Sequence, residues 1–385
     1  MQTNEIELGS VITDIAAGPF GSNLKVSSFV DSGFPIVDGA NLKGYKVTDN
    51  ITKFVTEEKA RSLHRSIAHR GDVVVTISGT VGQISYIPED SQYSEYLCSQ
   101  RQFRATFDTS RVYVPYLVFY FHTYEGQHKI LSFANQTGVP ALAQPLKNFR
   151  QIRLRLPEFM EQRKIASVIE KINDKIERNE AINHNLEAQA SELFDAWFIS
   201  FVRSDGKMPA DWHKGTLGDI AAITSGKRPP MKQAVASVDA TIPLVGAASI
   251  MGFTNAILYN EPILVTGRVG THGVVQRFQS PCWTSDNTLV IKSDFYEYTF
   301  QVLQRVDYVN MNRGSTQPLI TQTDLKNVSI VIPTEEVLLE YEKIAGSLMA
   351  MYESNRKENE RLATLRDTLL PKLMSGEIDV SEVEI

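Results

Sequence analysis

Two segments of this 385-residue chain place their apolar residues at alternating steps of four and three, and this spacing constrains the fold more than any other feature. It is the a/d spacing of a coiled coil, in which two helices bury a narrow apolar seam against each other. The first predicted seam is Ile165, Ile169, Ile172, Ile176, Asn179, Asn183, Leu186 and Leu193, and the second is Ile344, Leu348, Met351, Asn355, Leu362, Leu365 and Leu369. Each helix thus carries a stripe suited to the other.

The two halves of the chain repeat the same order of features. The tripeptide at 146–148 recurs 179 residues later at 325–327, and the dipeptide at 165–166 recurs at the same offset. In each half, a Pro-led apolar strand and a strand ending in a Gly-rich loop come before the long helix. We therefore predict a mixed α+β fold in four segments: a globular α/β domain at 1–157, a long helix at 158–203, a second α/β domain at 204–333, and a second long helix with a C-terminal tail at 334–385.

Antiparallel pairing of the two helices would relate the halves by an internal pseudo-twofold repeat. The polar residues Asn179, Asn183 and Asn355 in the middle of the seams would fix the alignment of such a coil. Dimeric DNA readers place two recognition units about one helical turn, ~34 to 36 Å, or a multiple apart. One chain of this kind would read two half-sites, and because its halves have diverged, the target would be bipartite and asymmetric. The alternative is that each helix packs only onto its own domain.

Charge and composition narrow the class of protein. The net charge is −6, yet residues 1–157 carry 16 basic against 14 acidic residues and residues 204–333 carry 11 against 10. The acid is concentrated in the two helical segments, so the globular parts could approach phosphate. No apolar run reaches the ~18 residues of a bilayer span, and the N-terminus lacks the apolar core of a secretory signal. The two distant cysteines have no metal-ligand spacing. We expect a cytoplasmic protein without a metal site.

Motifs for catalysis are missing from the sequence. It has no Walker A loop, no Gly-x-Gly-x-x-Gly cradle, no Gly-x-Ser-x-Gly elbow and no His-Glu-x-x-His. The tetrapeptide 228–231 has two prolines but lacks the polar head and the aromatic residue that amino-methyltransferases use to hold a flipped base. We therefore expect no catalytic residue and no cofactor in this chain.

Glycine-punctuated loops carry the side chains that suit base and phosphate contacts. Arg and Lys can bind guanine, Gln and Asn can bind adenine, and amides released by Gly can meet phosphate oxygens. The alternative is that these loops are turns and nothing more. The candidate DNA-binding residues are Ser22, Asn23, Lys25, Lys43, Ser78, Thr80, Arg101, Gln136 and Thr137 in the first half, and Lys227, Arg228, Arg268, Thr271, His272, Arg313, Ser315, Thr316 and Gln317 in the second.

Several motifs together resemble those of the specificity (S) subunit of Type I restriction-modification systems. The first motif is Leu-Pro at 156–157 followed by Glu-Gln-Arg-Lys-Ile-Ala at 161–166. The others are Leu-Phe-Asp-Ala-Trp-Phe at 193–198 and the segment 369–378 at the end of the second helix. The loop 18–25 is also similar to one in the family's first recognition domain. The second copy of the 161–166 motif departs from the pattern, with extra residues after Pro333.

The resemblance implies two target recognition domains, each reading half of a bipartite DNA site, in a bacterial or archaeal phage-defence system. It also implies two modification subunits that bind S-adenosylmethionine and methylate adenine at N6, and restriction subunits that use ATP and Mg. The charge split adds the hypothesis that the acidic helices face away from DNA and dock the methyltransferases. The competing interpretations are a non-DNA scaffold with two binding domains on a coiled-coil spacer and, disfavoured by the missing motifs, a self-sufficient nuclease or methylase.

Overall fold

The chain divides into two units, each built from a globular body and one part of both long helices. A computed structural model describes residues 3–135, 138–269, 271, 273–311 and 319–384. Unit 1 comprises residues 1–177 and 359–385, and unit 2 comprises residues 178–358. Because the long helices run from one unit into the other, each unit contains antiparallel helix contacts of its own.

Unit 1 contains eleven strands and four short helices among its described residues. The strands are β1 Thr3–Glu7, β2 Ile12–Ala17, β3 Phe29–Val30, β4 Phe34–Val37, β5 Phe54–Val55, β6 Ile67–His69, β7 Val73–Thr76, β8 Ile84–Tyr86, β9 Glu95–Cys98, β10 Gln102–Phe107 and β11 Arg153–Pro157. The helices are α1 Glu57–Ser62, α2 Val114–Phe121, α3 Tyr124–Leu131 and α4 Pro145–Arg150, followed by the long α5 Phe159–Phe194.

Two sheets and one strand pair form the body of unit 1. One sheet has the order β2-β10-β7-β8, the second has the order β3-β5-β4-β9-β6, and β1 pairs with β11. Every residue of β7 is buried, as expected for a continuous Val-Val-Val-Thr run between two layers. Helix α2 is almost entirely buried in the main core, together with Ile165 and Ile169 of α5. Cys98 is a buried free thiol.

Unit 2 repeats this arrangement with fewer strands. They are β12 His213–Thr216, β13 Ala222–Ser225, β14 Ile242–Val245, β15 Ile250–Thr254, β16 Ile263–Gly267, β17 Gln276–Phe278, β18 Trp283–Thr284, β19 Thr288–Lys292 and β20 Ser329–Ile332. The helices are α6 Leu217–Ile220, α7 Tyr296–Gln304, α8 Tyr308–Met311, α9 Gln322–Lys326 and the long α10 Glu335–Ser375. Cys282, the second cysteine, is also a buried free thiol.

The four-stranded sheets and the strand pairs of the two units correspond strand by strand, whereas the five-stranded sheet of unit 1 has a three-stranded counterpart, β15-β14-β18, in unit 2. The order β2-β10-β7-β8 is matched by β13-β19-β16-β17, and the pair β1-β11 is matched by β12-β20. In each unit one parallel pair, β4 with β9 or β14 with β18, occupies the same place. The predicted fold class, a mixed α+β fold with an internal repeat and two long helices, is confirmed.

The long helices pair antiparallel within each unit. In unit 1, Asn359 donates to the Ile176 carbonyl at 3.3 Å and Arg366 donates to the Asn173 side chain at 3.2 Å. In unit 2, Asn179 donates to Glu358 at 2.7 Å and Asn355 donates to Asn183 at 2.9 Å. The polar residues in the middle of the seams thus bind one another across the helix pair.

The first helix buries, fully or in part, each residue of the stripe that its spacing predicts. Ile165, Ile169, Asn179, Asn183 and Leu186 are buried, and Ile172, Ile176 and Leu193 are partly buried. Helix α5 ends at Phe194, and one π-helical turn, Asp195–Ile199, follows it. Among the described residues, no helix is both long enough and apolar enough to cross a lipid bilayer.

In the second helix, the prediction of a buried seam is wrong for three residues. Ile344, Met351 and Leu365 are 40%, 55% and 46% exposed. Leu348, Asn355, Leu362 and Leu369 are partly buried, and the fully buried positions near them include Tyr341 and Ala345.

The predicted seam of the second helix has the a/d spacing in the wrong phase, and the offset of 179 between the two halves carries the same error. The Leu8 amide donates to the Ile152 carbonyl and the Leu217 amide donates to the Val328 carbonyl. Ile152 and Val328 are therefore equivalent, and they lie 176 residues apart, as Pro157 and Pro333 do. The tripeptide match at offset 179 is three residues out of register with the folded repeat. Three residues are about 60° short of a full helical turn, which rotates the predicted stripe off the buried face.

Candidate nucleic-acid interface

A polar cleft of about 560 Å³ opens on the body of unit 1. It lies where β4 and β7 end and β10 begins, so that three short loops meet there. The loops contribute mainly hydroxyls and amides, together with two cations and one carboxylate. Its polar lining residues are Asp38, Lys53, Thr76, Ser78, Thr80, Gln83, Ser99, Gln100, Arg101 and Gln102.

A hydrogen-bond network fixes the floor of this cleft. The Gln102 amide donates to the Thr76 hydroxyl at 3.3 Å, which donates to the Gln83 side chain at 3.1 Å. Gln83 in turn donates to the Gly39 carbonyl at 3.1 Å, and Ser99 donates to Gln102. Because Thr76 and Gln102 are only 2% and 1% exposed, the floor is a rigid support rather than a contact surface.

The rim of the cleft carries the exposed polar side chains. Gln100, Arg101 and Thr80 are exposed, whereas Ser78 is half-buried. Gly79 and Gly82 have φ angles of +91° and +87°, which a side chain would strain, so the loop that holds Thr80 depends on glycine. Asp38 and Lys53 form an ion pair at 2.5 Å on the opposite wall. The rim can therefore present an amide and a guanidinium, the groups that bind adenine and guanine edges.

The loop 18–25 lies beside the cleft and is held at both ends. The Gly18 amide donates to the Gln102 carbonyl at 2.8 Å, and a Cβ at Gly18 would meet the Ser99 carbonyl oxygen at 1.8 Å. At the other end, Leu24 is buried against Phe34 and Ile36. The candidate residues Ser22, Asn23 and Lys25 are all exposed on this loop.

Unit 2 has the same backbone arrangement at the equivalent place. The Gly226 amide donates to the Thr288 carbonyl at 3.1 Å, and a Cβ at Gly226 would meet the Ser285 carbonyl oxygen at 2.1 Å. Lys227 is held by its amide, which donates to the Thr284 carbonyl, and by its carbonyl, which accepts from the Trp283 indole at 2.8 Å. Lys227 and Arg228 are exposed, Arg268 is half-buried and Thr271 is exposed. Unit 2 thus places two exposed cations directly after its anchoring glycine.

The structure brings together some of the predicted residues and separates others. Ser78, Thr80 and Arg101 line one cleft, with Ser22, Asn23 and Lys25 on the adjoining loop. Lys43 is exposed but does not line that cleft. The remaining candidates, Gln136, Thr137, His272, Arg313, Ser315, Thr316 and Gln317, lie outside the described residues.

Sequence reasoning missed the glutamines of the cleft. Gln100 and Gln102 flank the predicted Arg101, and Gln83 directly follows the predicted loop 78–82. The polar character of the segments 78–83 and 99–102 was therefore the signal that could have identified them. Asp38 and Lys53 had no such signal, because only the fold brings their distant segments together.

A second cavity of unit 1, about 610 Å³, contains none of the predicted residues. It is lined by Tyr86, Tyr113 and Phe159 and by the α5 residues Glu170 and Asp174. The Tyr113 hydroxyl donates to Glu170 at 3.1 Å, and burial raises the pKa of the Glu170 carboxyl. The lining of this cavity has four carboxylates against two lysines, so the polar cleft, with one carboxylate against two cations, is the candidate interface.

Comparison with known proteins decides the family. The model of the Type I restriction modification DNA specificity domain matches residues 28–188 and again residues 209–366. The chain belongs to this family. The resemblance to a specificity subunit is thereby confirmed, and so is a role in DNA target recognition. Specificity subunits of this family are not catalytic, since the enzymatic activities belong to their partner subunits.

Relatives of the specificity family align with most of the chain. It is 23% identical to the Type I restriction enzyme MjaIX specificity subunit of Methanocaldococcus jannaschii, over 97% of this chain and 93% of that protein. It is also 23% identical to the HindI specificity subunit of Haemophilus influenzae, over 59% of this chain and 69% of that protein. The solved S subunit from M. genitalium has a TM-score of 0.64 at 14% identity, with 97% of this chain and 96% of that chain covered, and so supports the fold.

Proposed function

We propose that each unit reads one part of a bipartite, asymmetric DNA target. The proposal is carried by one observation: the two units share a backbone frame around Gly18 and Gly226 yet present different side chains on it. A shared frame holding unlike side chains is what two readers of different base sequences need.

The division of contacts follows from the side chains. In unit 1, Arg101 and Gln100 on the rim of the cleft contact base edges, and Ser22, Asn23 and Lys25 contact phosphates. In unit 2, Lys227, Arg228 and Arg268 make both kinds of contact. We assign Lys43 and Thr271, both exposed, to phosphate contacts, because an ammonium and a hydroxyl suit phosphate oxygens.

The long helices serve assembly in this proposal. Their acidic surfaces repel phosphate, so they face away from DNA and dock two methyltransferase subunits. Those partners would bind S-adenosylmethionine, and restriction subunits, where the host has them, would use ATP and Mg. The complex would act in the cytoplasm of a bacterial or archaeal cell. Because both units belong to one chain, the second unit binds its part of the target intramolecularly once the first unit has bound. The base-sequence discrimination of the two units therefore multiplies.

Salt dependence of binding tests the DNA-binding role against the scaffold alternative. We expect the affinity of the purified chain for a random-sequence duplex to fall steeply between about 50 and about 200 mM salt, because neutralised phosphates release counterions. Lys25→Ala should reduce the slope by about one, whereas Arg101→Ala should relax base preference at one position at a cost of about 1 to 3 kcal/mol. Salt-independent binding, or none, would favour the scaffold.

A further inference from the structure

Phe20 is an exposed aromatic side chain at the tip of the loop 18–25, next to the polar cleft of unit 1. Its side chain is 83% exposed, although it has no polar atom to hydrate. Exposure of one large apolar side chain is common on protein surfaces. What sets Phe20 apart is the rigidity of its support and the chemistry of its neighbours.

The support of Phe20 is built at both ends. Gly18 is held so closely against the Ser99 carbonyl that no side chain fits there, and buried Pro19 fixes the backbone before Phe20. The Asn23 amide donates to the Phe20 carbonyl at 2.8 Å and closes the turn, and Leu24 anchors the far end in the core. The backbone at Phe20 is therefore held at a set position, so that little backbone entropy is left to lose on binding.

The neighbours of Phe20 suit a nucleic acid. A Cβ at Gly21 would lie 2.8 Å from the Gln100 side-chain oxygen, so the loop tip adjoins the rim residues Gln100 and Arg101. Ser22, Asn23 and Lys25, all exposed, supply phosphate donors on the same loop. Val26, 82% exposed, is the other large apolar side chain that is exposed at the cleft. Two side chains make far too small a patch for a stable protein interface of about 800 Å² per partner.

We propose that Phe20 acts as an apolar wedge that inserts against a base-pair step in the part of the target read by unit 1. This inference rests on the proposed function and adds a deformation of the DNA to it. Proteins that insert Phe, Leu or Ile between base steps unstack them and kink the duplex, which makes recognition depend on how easily the step deforms. Phe20 thereby contributes to specificity without a hydrogen bond to a base.

The same position in unit 2 carries a different side chain. Gly18 and Gly226 are equivalent by their hydrogen bonds and by the carbonyl that each one packs against, so Phe20 corresponds to Arg228. A guanidinium binds phosphate or guanine and can stack on a base, but it is not one of the apolar side chains that are inserted between base pairs. The wedge therefore belongs to the part of the target read by unit 1 alone.

Fluorescence of 2-aminopurine tests the wedge, since this base analogue brightens when it is unstacked. The full chain with its methyltransferase partners is bound to duplexes that carry the analogue at one position at a time across the methylated target. The methyltransferases flip the target adenines out of the stack, so brightening at or beside those bases is expected in both parts. Beyond that signal, we expect one bright position in the part read by unit 1 and none in the part read by unit 2. Phe20→Ala should abolish the signal at that one position and weaken target binding by about tenfold, with binding to random duplex unchanged.

Two further variants separate the outcomes. Phe20→Leu should keep part of the signal, and Tyr124→Ala, which removes an aromatic ring that is 88% exposed and does not line the cleft, should behave as the wild type. A Phe20→Ala protein that retains the signal and the affinity overturns the wedge, and so does one that loses its methyltransferase partners, which would make Phe20 a protein contact. If the wild type does not prefer the target to random duplex, the proposed function itself fails.

Discussion

At the scale of single residues, Gly18 is the position where the backbone leaves no room for a side chain. Gly18→Ala places a Cβ 1.8 Å from a backbone carbonyl oxygen that cannot move without opening the start of β10. We expect it to lower the free energy of unfolding by about 1 to 3 kcal/mol and to impair target binding through the displaced loop. Gly44→Ala is the matched control, because nothing lies within 4 Å of its Cβ position. Equal stability of the two variants in chemical denaturation would contradict this account.

Glu342 is the residue whose ionisation should be visible in the stability of the protein. It accepts hydrogen bonds from the amides of Glu297 and Tyr298 at 3.0 and 2.8 Å, yet burial raises the pKa of its carboxyl to about 7. The folded state then holds the proton more tightly than the unfolded chain does. The free energy of unfolding should therefore fall as the pH rises from about 4.5 to about 7, by at most about 3 kcal/mol.

Glu342→Gln isolates this contribution, because a glutamine fills the same space without titrating; its one side-chain oxygen replaces only one of the two acceptors, which shifts stability equally at every pH. We expect the unfolding free energies of the wild type and the variant to diverge across that pH window, with the wild type losing more. Parallel pH profiles in urea denaturation would show that Glu342 titrates normally.

At the scale of elements, the register of α10 can be tested with two methionines. Met349 is 2% exposed and Met351 is 55% exposed, so the structure and the offset of 179 make opposite predictions for them. Met349→Ala should lower the free energy of unfolding by about 2 to 5 kcal/mol, whereas Met351→Ala should change it by less than about 0.5 kcal/mol. The reverse order in thermal or chemical denaturation would restore the original seam.

This register also shows how far the elements could be predicted. The a/d spacing predicted both long helices and their pairing, because a narrow apolar stripe has few other uses. It did not predict the seam of α10, since Ile344, Met351 and Leu365 obey the same spacing as the residues that are buried. The backbone hydrogen bonds of Ile152 and Val328, just before β11 and β20, give the true offset, which Pro157 and Pro333 share. The residues of the cleft could likewise be predicted only in part. Arg101 lies in a polar run of the sequence, whereas Lys53 and Asp38 come together only through tertiary contacts.

At the scale of the whole molecule, we propose that the two units bind DNA bases independently, although they belong to one chain. Each has its own core, its own sheets and its own copy of the glycine-anchored loop. Exchanging the body of unit 1 should therefore leave the reading by unit 2 intact, provided that the long helices are kept.

Mapping methylated adenines across the genome of cells that carry this chain with its methyltransferase is the most direct test of that claim. The wild type is compared with a protein whose residues 1–150 come from another specificity subunit. We expect a two-part motif in which the exchange alters one part and leaves the other part and the gap unchanged. A single continuous motif, or an exchange that alters both parts together, would contradict the account.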